Sequence, residues 1–390
     1  MSTKFVLVMM PLPTVRVATA HIAPHLLNKR LSTQKTIEHI ARAAKHDAQL
    51  VCFPESSIPG FPFWASVIPP ASPATHDLFA RFADASVVVG QEEVTAIQSA
   101  AKQHRVSVSV GISERASYSL GTLWNSNLLI NQDGKIVCHH RKLACTWFEK
   151  LLWAPGDGYG LRTMNLASEG SEGDVKVGAL ICGENTNSLA RYATMSLGEQ
   201  IHLSTWPAVW PSRMSTGAEK STGRNYDNVL ANRIRAAAHC FEAKCFGIMC
   251  AGQVNTENTD TVISLIDESD PDSAKAAKAT LEQAPRAASM ILDPTGTPVE
   301  SWTIGTDGQK ASTELMQHDE GLLFADLDIN ECVEGKQYHD LLGGYQRLDV
   351  FNLQVNRERR EPVTFAPEHV VIRSFGDEKQ GLKSEPPTRP

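Results

Sequence analysis

The sequence lacks the features of several classes of protein. No apolar run approaches the ~20 residues that a membrane-spanning helix needs, so we expect no membrane association. Clusters of basic residues are also missing, and 44 Asp and Glu outnumber 37 Lys and Arg to give a formal net charge of -7. Because binding to a phosphate backbone requires clustered positive charge, nucleic acid is not an expected partner.

Disulfide and export signals are weak. The eight cysteines form no CxxC pair and lie largely inside apolar runs, which is typical of free thiols in a reducing compartment. An apolar stretch near the amino terminus is interrupted early by Pro11 and Pro13, so we read residues 15–20 as a first strand rather than as part of a signal peptide. We therefore expect a cytoplasmic protein.

Metal-ligand patterns are missing too, although the chain has 13 histidines. His139 and His140 are adjacent on a predicted strand and so point to opposite faces. Pro24 separates His21 from His25, and no histidine–cysteine pair has the spacing of a zinc site. We expect neither a metal nor a cofactor.

What is present describes a folded protein of 390 residues, 42% hydrophobic and 21% charged. The apolar pattern switches between period two and period 3.6, which predicts alternating strands and helices. The predicted helices span residues 32–46, behind a cap at Ser32 or Thr33, and residues 91–105, 189–199 and 225–244. The predicted strands span residues 15–20, 50–53, 106–113, 124–131, 135–140, 175–181, 201–205, 245–251, 289–292 and 321–328. Such alternation indicates an α/β fold in which helices cover a sheet.

The domain organisation follows from where this pattern stops. We predict one main domain over residues 1–330, in which the acidic stretch 257–272 is a solvated loop. Residues 331–375 still carry aromatic and apolar side chains and form a carboxyl-terminal extension. Residues 376–390 are charged and rich in proline, so we expect a mobile tail.

Glu55, Lys142 and Cys182 each follow the carboxyl end of a predicted strand, the edge where ligands collect in a helix-covered sheet. Taken singly, each has an ordinary explanation, since a cysteine after an apolar run is usually a core residue. Together they are complementary. A nearby ammonium favours the nucleophilic thiolate, and a carboxylate can take the thiol proton and later activate water. A nucleophile, a base and a cation form a complete set for acyl transfer.

The surrounding residues resemble the three signature regions of the nitrilase superfamily, and in particular its nitrilase branch. The matching stretches are Cys52-Phe53-Pro54-Glu55, His140-Arg141-Lys142-Leu143 with Thr146 and Glu149, and Cys182-Gly183-Glu184-Asn185. Further matches lie at residues 153–158, at residues 198–202, and at Gly344-Tyr345 followed by Arg347 and Asp349. The resemblance runs from about residue 15 to about residue 357.

This resemblance implies a four-layer αββα sandwich, with helices covering two central sheets, and a carbon–nitrogen hydrolase catalytic domain over residues 1–330. It implies that Cys182 is the nucleophile, Glu55 the general base and Lys142 the group that stabilises the tetrahedral species. Glu149 matches a second glutamate that positions the lysine. The family's subunits pair through helices, so residues 189–197 and 225–244, and the extension after Glu331, are candidate contact surfaces of a homo-oligomer.

The implied activity is hydrolysis of an organic nitrile to a carboxylic acid and ammonia, through thioimidate and thioester intermediates on the cysteine. Glu184, two residues after Cys182, resembles the nitrilase branch, whereas many amidase branches have a Tyr-Asp pair there. An amidase or a nitrile hydratase with the same Glu-Lys-Cys triad is the alternative. A catalytically silent binding protein that keeps the fold is a third hypothesis.

Departures from the family pattern concern substrate choice and subunit contacts rather than the triad. They are Gly183 where the branch often has tryptophan, Cys145 where proline is common, Lys150 where arginine often follows, and Gly344 where histidine is frequent. We expect Trp147, Gly183, Trp206 and Pro207 to contact a small nitrile substrate, while the aromatic residues at 61–64 belong either to the pocket or to the core.

Overall fold

The computed structural model describes residues 12–166, 175–210, 227–266 and 271–363. The chain divides into two compact units, residues 1–358 and residues 359–390. The predicted mobile tail at 376–390 lies outside the described residues. The predicted domain boundary at residue 330 remains a prediction.

Strands and helices alternate along the described ranges. The strands are β1 (Thr14–His21), β2 (Leu50–Cys52), β3 (Ser107–Arg115), β4 (Leu123–Ile130), β5 (Ile136–Arg141), β6 (Met164–Leu166), β7 (Val175–Ile181), β8 (Ile201–Trp206), β9 (Phe246–Ala251), β10 (Ser289–Leu292), β11 (Trp302–Ile304), β12 (Lys310–Ser312), β13 (Leu315–Met316) and β14 (Gly321–Asp328). The helices are α1 (Lys29–Lys45), α2 (Pro73–Ala85), α3 (Glu92–His104), α4 (Ser188–Met195), α5 (Asn228–Ala243), α6 (Thr256–Ser264), α7 (Pro271–Gln283) and α8 (Glu331–Glu334). None of these described helices is both long enough and apolar enough to cross a bilayer.

The strands form two sheets. The order of the first is β12-β11-β14-β1-β2-β3-β4-β5, and the order of the second is β13-β10-β9-β8-β7-β6. Parallel pairs lie at the centre of each sheet, β1 with β2 and β2 with β3 in the first, and β7 with β8 and β8 with β9 in the second. The predicted α/β fold class with two central sheets is confirmed.

Apolar clusters join four layers. The inner cluster fills the space between the sheets and includes Val15, Val17, Leu129, Val177, Leu203 and Ile248. A second cluster packs the outer face of the first sheet against α1 and α3 and includes Ala18, Ala20, Ile40, Ile97 and Val108. The outer face of the second sheet packs against α4 and α5 through Leu180, Ala190, Ala193, Ala236, Cys240 and Met249. Strands that bury both faces read as continuous apolar runs, which is why these segments were recognisable in the sequence.

Two sequence predictions were wrong in detail. The first helix begins at Lys29 rather than behind Ser32 or Thr33, because Asn28 caps it by accepting a hydrogen bond from the backbone N–H of Leu31. Ser32 instead donates to the carbonyl of His25.

The acidic stretch 257–272 is not simply a solvated loop. It contains most of α6, whose cap is the side chain of Asn255, and it includes the start of α7. Val262 of α6 is fully buried, so one apolar face outweighs the acidic composition.

Close backbone approaches bring the strand ends together. Position 111 on β3 has no room for a side chain, because a Cβ on Gly111 would lie 2.2 Å from the carbonyl oxygen of Pro54. Gly156 likewise lies against the end of β5, where a Cβ would lie 2.2 Å from the carbonyl oxygen of Arg141. The N–H of Gly156 donates to the carbonyl of Lys142 at 2.8 Å. Glycine at both positions therefore lets the loops after β2 and β5 pack tightly at one edge of the sheet.

Candidate active site

Glu55 lies just past the end of β2, a strand buried between β1 and β3. Its side chain is fully buried, and its Oε1 accepts hydrogen bonds from the Nζ of Lys142 at 2.7 Å and the Nδ2 of Asn125 at 2.7 Å. Its Oε2 has no hydrogen-bond partner among the described residues. This oxygen is therefore available to accept a proton.

Lys142 lies between two carboxylates at the end of β5. Besides Glu55, its fully buried ammonium donates to both carboxylate oxygens of Glu149, at 3.0 and 2.8 Å. Glu149 belongs to a 3₁₀ turn, Trp147–Leu151, and also accepts from the backbone N–H of Thr146 at 2.9 Å. The turn therefore holds Glu149 in place, and Glu149 holds the lysine.

Cys182 immediately follows β7 and begins a second 3₁₀ turn, Cys182–Thr186. Its backbone φ of 49° is in the left-handed region that a non-glycine residue rarely adopts. The Cys182 sulfur lies within 4.8 Å of a carboxylate oxygen of Glu55 and of Glu149. The three predicted triad side chains, together with Glu149, therefore form one buried cluster.

Burial and charge shift the pKa values of this cluster in different directions. Burial raises the pKa of the Cys182 thiol well above its usual value, with a further contribution from the charge of Glu55, so the resting group is a neutral thiol. Burial also raises the pKa of Glu55 to about 7, although Lys142 opposes this. For Lys142 burial lowers the pKa, but the interactions with Cys182 in its ionised form and with the carboxylates of Glu149 and Glu55 raise it more, so the amine stays charged.

Glu184 connects the Cys182 turn by hydrogen bonds to the end of β5, which Lys142 follows. Its carboxylate accepts from the backbone N–H of Leu143 at 2.6 Å and of Ile181 at 2.8 Å, and from His140 Nε2 at 2.9 Å. Burial opposes ionisation, yet the charge and hydrogen bond of His140 lower the pKa of Glu184. This residue therefore positions the two strand ends rather than facing a ligand.

Asn185 holds the same turn from the other side. Its amide nitrogen donates to the carbonyls of Leu180 at 3.3 Å and Cys182 at 3.1 Å. Its oxygen accepts from His202 Nε2 at 3.0 Å and Ser204 at 3.2 Å. Hydrogen bonds from the Asn185 side-chain amide therefore stabilise the left-handed backbone conformation of Cys182.

Behind Asn185, a second buried ionic group combines one carboxylate with two imidazoles. Glu199 bonds to His202 Nδ1 at 3.0 Å and to His239 Nε2 at 2.5 Å, and the two rings stack at 3.6 Å. Burial raises the pKa of Glu199, but the interactions and hydrogen bonds with His202 and His239 outweigh it and lower that pKa. Burial lowers the pKa of His239 to about 4. These side chains can ligate a metal by type and proximity, but here they bond to one another and orient Asn185.

A cavity of about 40 Å³ opens beside the Cys182 sulfur. Its lining consists of Thr146, Cys182, Gly183, Trp206, Pro207, Trp210, Asn228, Asn232 and Arg235. Three of the residues expected to contact substrate, Gly183, Trp206 and Pro207, lie on this cavity. Trp147 does not line it, since its side chain is 58% exposed and packs edge-on against Phe148. Residues 61–64 contribute Phe61 and Phe63 to a separate cavity that Glu55 borders.

Sequence reasoning missed the polar residues that support the site. Asn125 and the α5 residues Asn228, Asn232 and Arg235 were not singled out, and Asn185 was noted only as part of the stretch that begins at Cys182. The available signal for Asn125 was a run of three polar residues, 125–127, within a strand whose other residues are apolar. The α5 residues recur four and three positions apart, which places them on one face of a helix. Nothing in the local sequence showed that this face borders Cys182.

Comparisons with known proteins are consistent across the chain. A model of the carbon-nitrogen hydrolase family matches residues 16–337. The chain is 29% identical over 357 residues to an arylacetonitrilase of Macrophomina phaseolina strain MS6, covering 90% of this chain and 94% of that protein. It is 28% identical over 353 residues to an aliphatic nitrilase of Rhodococcus rhodochrous, covering 90% and 82%. It is 30% identical over 374 residues to a bromoxynil-specific nitrilase of Klebsiella pneumoniae subsp. ozaenae, covering 96% and 93%.

Solved structures show the same fold at low sequence identity. The carbon-nitrogen hydrolase from Helicobacter pylori G27 matches with a TM-score of 0.58 at 17% identity, covering 87% of this chain and 97% of that chain. A mutant amidase from Nesterenkonia sp. AN1, with the acetamide moiety of fluoroacetamide added covalently at its active site cysteine, matches with a TM-score of 0.52 at 14% identity, covering 82% and 92%. The predicted αββα sandwich is therefore confirmed.

Replacing Lys142 with methionine tests the ionic cluster. The substitution leaves Glu55 and Glu149 facing each other without a cation, so we expect Lys142→Met to lose about 3–5 kcal/mol of the free energy of unfolding in urea. Lys150→Met is the matched control, since it removes an exposed charge nearby and should cost within about 0.5 kcal/mol. Equal losses in the two variants would contradict this account of the cluster.

Proposed function

Because this chain belongs to the carbon–nitrogen hydrolase family, we propose that it is a nitrilase, which converts an organic nitrile and two waters into a carboxylic acid and ammonia. It is a hydrolase acting on carbon–nitrogen bonds. The observation that carries the finer proposal is the buried cluster in which the Cys182 sulfur lies within 4.8 Å of a Glu55 oxygen and Lys142 bonds to Glu55. Relatives named as nitrilases, at 28–30% identity, support the choice of substrate class.

In the proposed first half-reaction, the unpartnered oxygen of Glu55 accepts the proton of the Cys182 thiol. The sulfur attacks the nitrile carbon, and the proton passes to the nitrile nitrogen to give a thioimidate. A water then adds to the thioimidate carbon under Glu55 assistance. Collapse of that adduct breaks the carbon–nitrogen bond and releases ammonia, which leaves a thioester on Cys182.

In the second half-reaction, another water attacks the thioester, and the carbon–sulfur bond breaks to release the carboxylic acid and the thiol. Each tetrahedral species carries developing negative charge. The ammonium of Lys142 and the backbone N–H that follows Cys182 are the donors we assign to that charge. Because Lys142 is held by two carboxylates, it needs no reorganisation when the charge forms.

Replacing the proposed nucleophile tests this function. We expect Cys182→Ala to reduce ammonia release from a panel of nitriles to background, since the variant lacks the sulfur that forms the thioimidate in the proposed mechanism. Cys145→Ser is the matched control, because Cys145 is also a buried thiol but is not among the described residues that line the Cys182 cavity, and it should retain turnover. Quantifying acid and amide products separates a nitrilase from a hydratase, and activity on amides alone would identify an amidase. Ammonia release by Cys182→Ala would contradict the mechanism.

The pKa of Glu55 predicts an acid limb in the pH profile. Since the base must be deprotonated and its pKa is raised to about 7, we expect kcat/KM to fall about tenfold per pH unit below that value. Asn125→Ala removes a hydrogen bond that stabilises the carboxylate, so the limb should move to higher pH. In the control Asn127→Ala, the side chain removed bonds to Ser109 instead, and the limb should stay in place. A limb near the ordinary glutamate pKa would contradict this assignment.

We also propose that the chain forms a homo-oligomer through α4 and α5. These helices expose Leu189 (61%), Leu230 (56%) and Ile234 (60%), which is apolar surface of the kind that marks protein contacts. We expect sedimentation velocity to show a species larger than one subunit, and Ile234→Glu to shift it toward the monomer. Leu120→Glu is the control, since Leu120 is exposed outside both helices. A wild-type chain that sediments as a monomer would contradict the proposal.

We propose a cytoplasmic location because the cysteine thiols are not oxidised to disulfides. All eight cysteines are buried and free, which fits a compartment where thiols stay reduced. A thiol nucleophile at Cys182 also requires that reduced state.

A further inference from the structure

One wall of the Cys182 cavity is a polar face of α5. Asn228, Asn232 and Arg235 are spaced four and three residues apart, so they lie above one another on the helix. Leu230 and Ile234 of the same helix are exposed rather than cavity-lining. The helix therefore directs two amides and a guanidinium toward the thiol that the proposed function uses.

Arg235 has no acidic partner among the described residues. Its Nε donates to the carbonyl of Ala231 at 2.9 Å, one Nη donates to Asn232 Oδ1 at 2.8 Å, and its guanidinium lies 4.4 Å from the ring centroid of Trp206. By contrast, the guanidinium of Arg141 is paired with Glu114 and that of Arg191 with Glu242. A guanidinium that is positioned but not neutralised is suited to bind a carboxylate from outside the protein.

The charges around the cavity leave Arg235 unbalanced. Lys142 is already paired with two carboxylates, Glu55 and Glu149. Among the described residues that line the cavity, Arg235 is the one cation, and none of them carries a carboxylate. Its positive charge acts on Cys182, where it lowers the thiol pKa in opposition to burial. An anionic group on the ligand would therefore meet a complementary charge at this wall.

The size of the cavity favours a small ligand. Its volume of about 40 Å³ compares with roughly 10–15 Å³ for one enclosed water. Its two tryptophans already have partners, since Trp206 lies under Arg235 and Trp210 stacks on Phe148 at 4.7 Å. A short aliphatic chain fits this space better than an additional aromatic ring.

We propose that the substrate is a short aliphatic nitrile that also carries a carboxylate, and that Arg235 binds this carboxylate while Cys182 attacks the nitrile carbon. The inference rests on the proposed nitrilase function and adds a substrate class to it. Asn228 and Asn232 line the same wall; the Asn228 amide nitrogen donates to the carbonyl of Pro285 at 2.6 Å, and the Asn232 oxygen accepts from Arg235. Hydrolysis of such a substrate gives a dicarboxylic acid and ammonia.

The test compares 3-cyanopropanoate with its methyl ester, which has the same nitrile without the charge. We expect wild-type kcat/KM to favour the acid by on the order of tenfold or more, as a charge-assisted hydrogen bond implies. Arg235→Gln should remove most of this preference, and Arg235→Lys should restore part of it. Arg233→Gln is the matched control, because Arg233 is on the same helix but outside the cavity lining. Thermal unfolding establishes that each variant is folded.

Two outcomes overturn the inference while leaving the nitrilase proposal intact: equal kcat/KM for acid and ester in the wild type, or an unchanged ratio in Arg235→Gln. Calorimetry tests anion binding independently of turnover. We expect 3-cyanopropanoate to bind Cys182→Ala at least about tenfold more tightly than it binds the Cys182→Ala/Arg235→Gln double variant. Equal binding overturns the inference even if no nitrile is hydrolysed, whereas Arg235-dependent binding without turnover by the wild type would contradict the nitrilase function alone.

Discussion

A buried ammonium held between two carboxylates organises this protein. Lys142 contacts Glu55 and Glu149 at 2.7–3.0 Å, and all three side chains are removed from solvent. Burying such charges is costly unless each is paired and hydrogen-bonded. The cost is offset only when the loops after β2 and β5 lie at the correct distance, so the fold and the cluster require each other. Burial in the same environment raises the pKa of Glu55 to about 7, which suits the general base that we propose it to be.

The proposed nucleophile depends on a separate set of supports. Cys182 occupies a left-handed backbone conformation, which costs free energy and persists only where surrounding contacts impose it. Glu184 and Asn185 supply those contacts, through backbone N–H groups on one side and carbonyls on the other. Glu199 extends the support through His202, which orients the Asn185 amide. These contacts thereby place the thiol within 4.8 Å of a Glu55 carboxylate oxygen.

Separate parts of the site serve separate purposes. In the proposed mechanism the ionic cluster of Glu55, Lys142 and Glu149 supplies charge and proton transfer, and none of these three is among the described residues that line the Cys182 cavity. One wall of the cavity is formed by α5 and the end of β8, carries Arg235 and Trp206, and is the wall that we propose faces the substrate. In this arrangement, substitutions in the cavity wall can change substrate preference without altering the residues of the ionic cluster. That separation is consistent with a family whose relatives bear names for aryl-containing and aliphatic substrates alike.

The sequence alone determined the alternation of strands and helices and the three strand ends that bear a carboxylate, an amine and a thiol, because buried strands and short motifs leave local signals. Only the tertiary structure decided which residues those strand ends contact. Asn125 and Arg235 gave no recognisable motif, since their importance comes from which distant residue they face. Trp147 sits between two site residues in the chain, yet its side chain lies on the surface. Distances between residues far apart in sequence are set by sheet packing and close glycine contacts, and no local pattern encodes them.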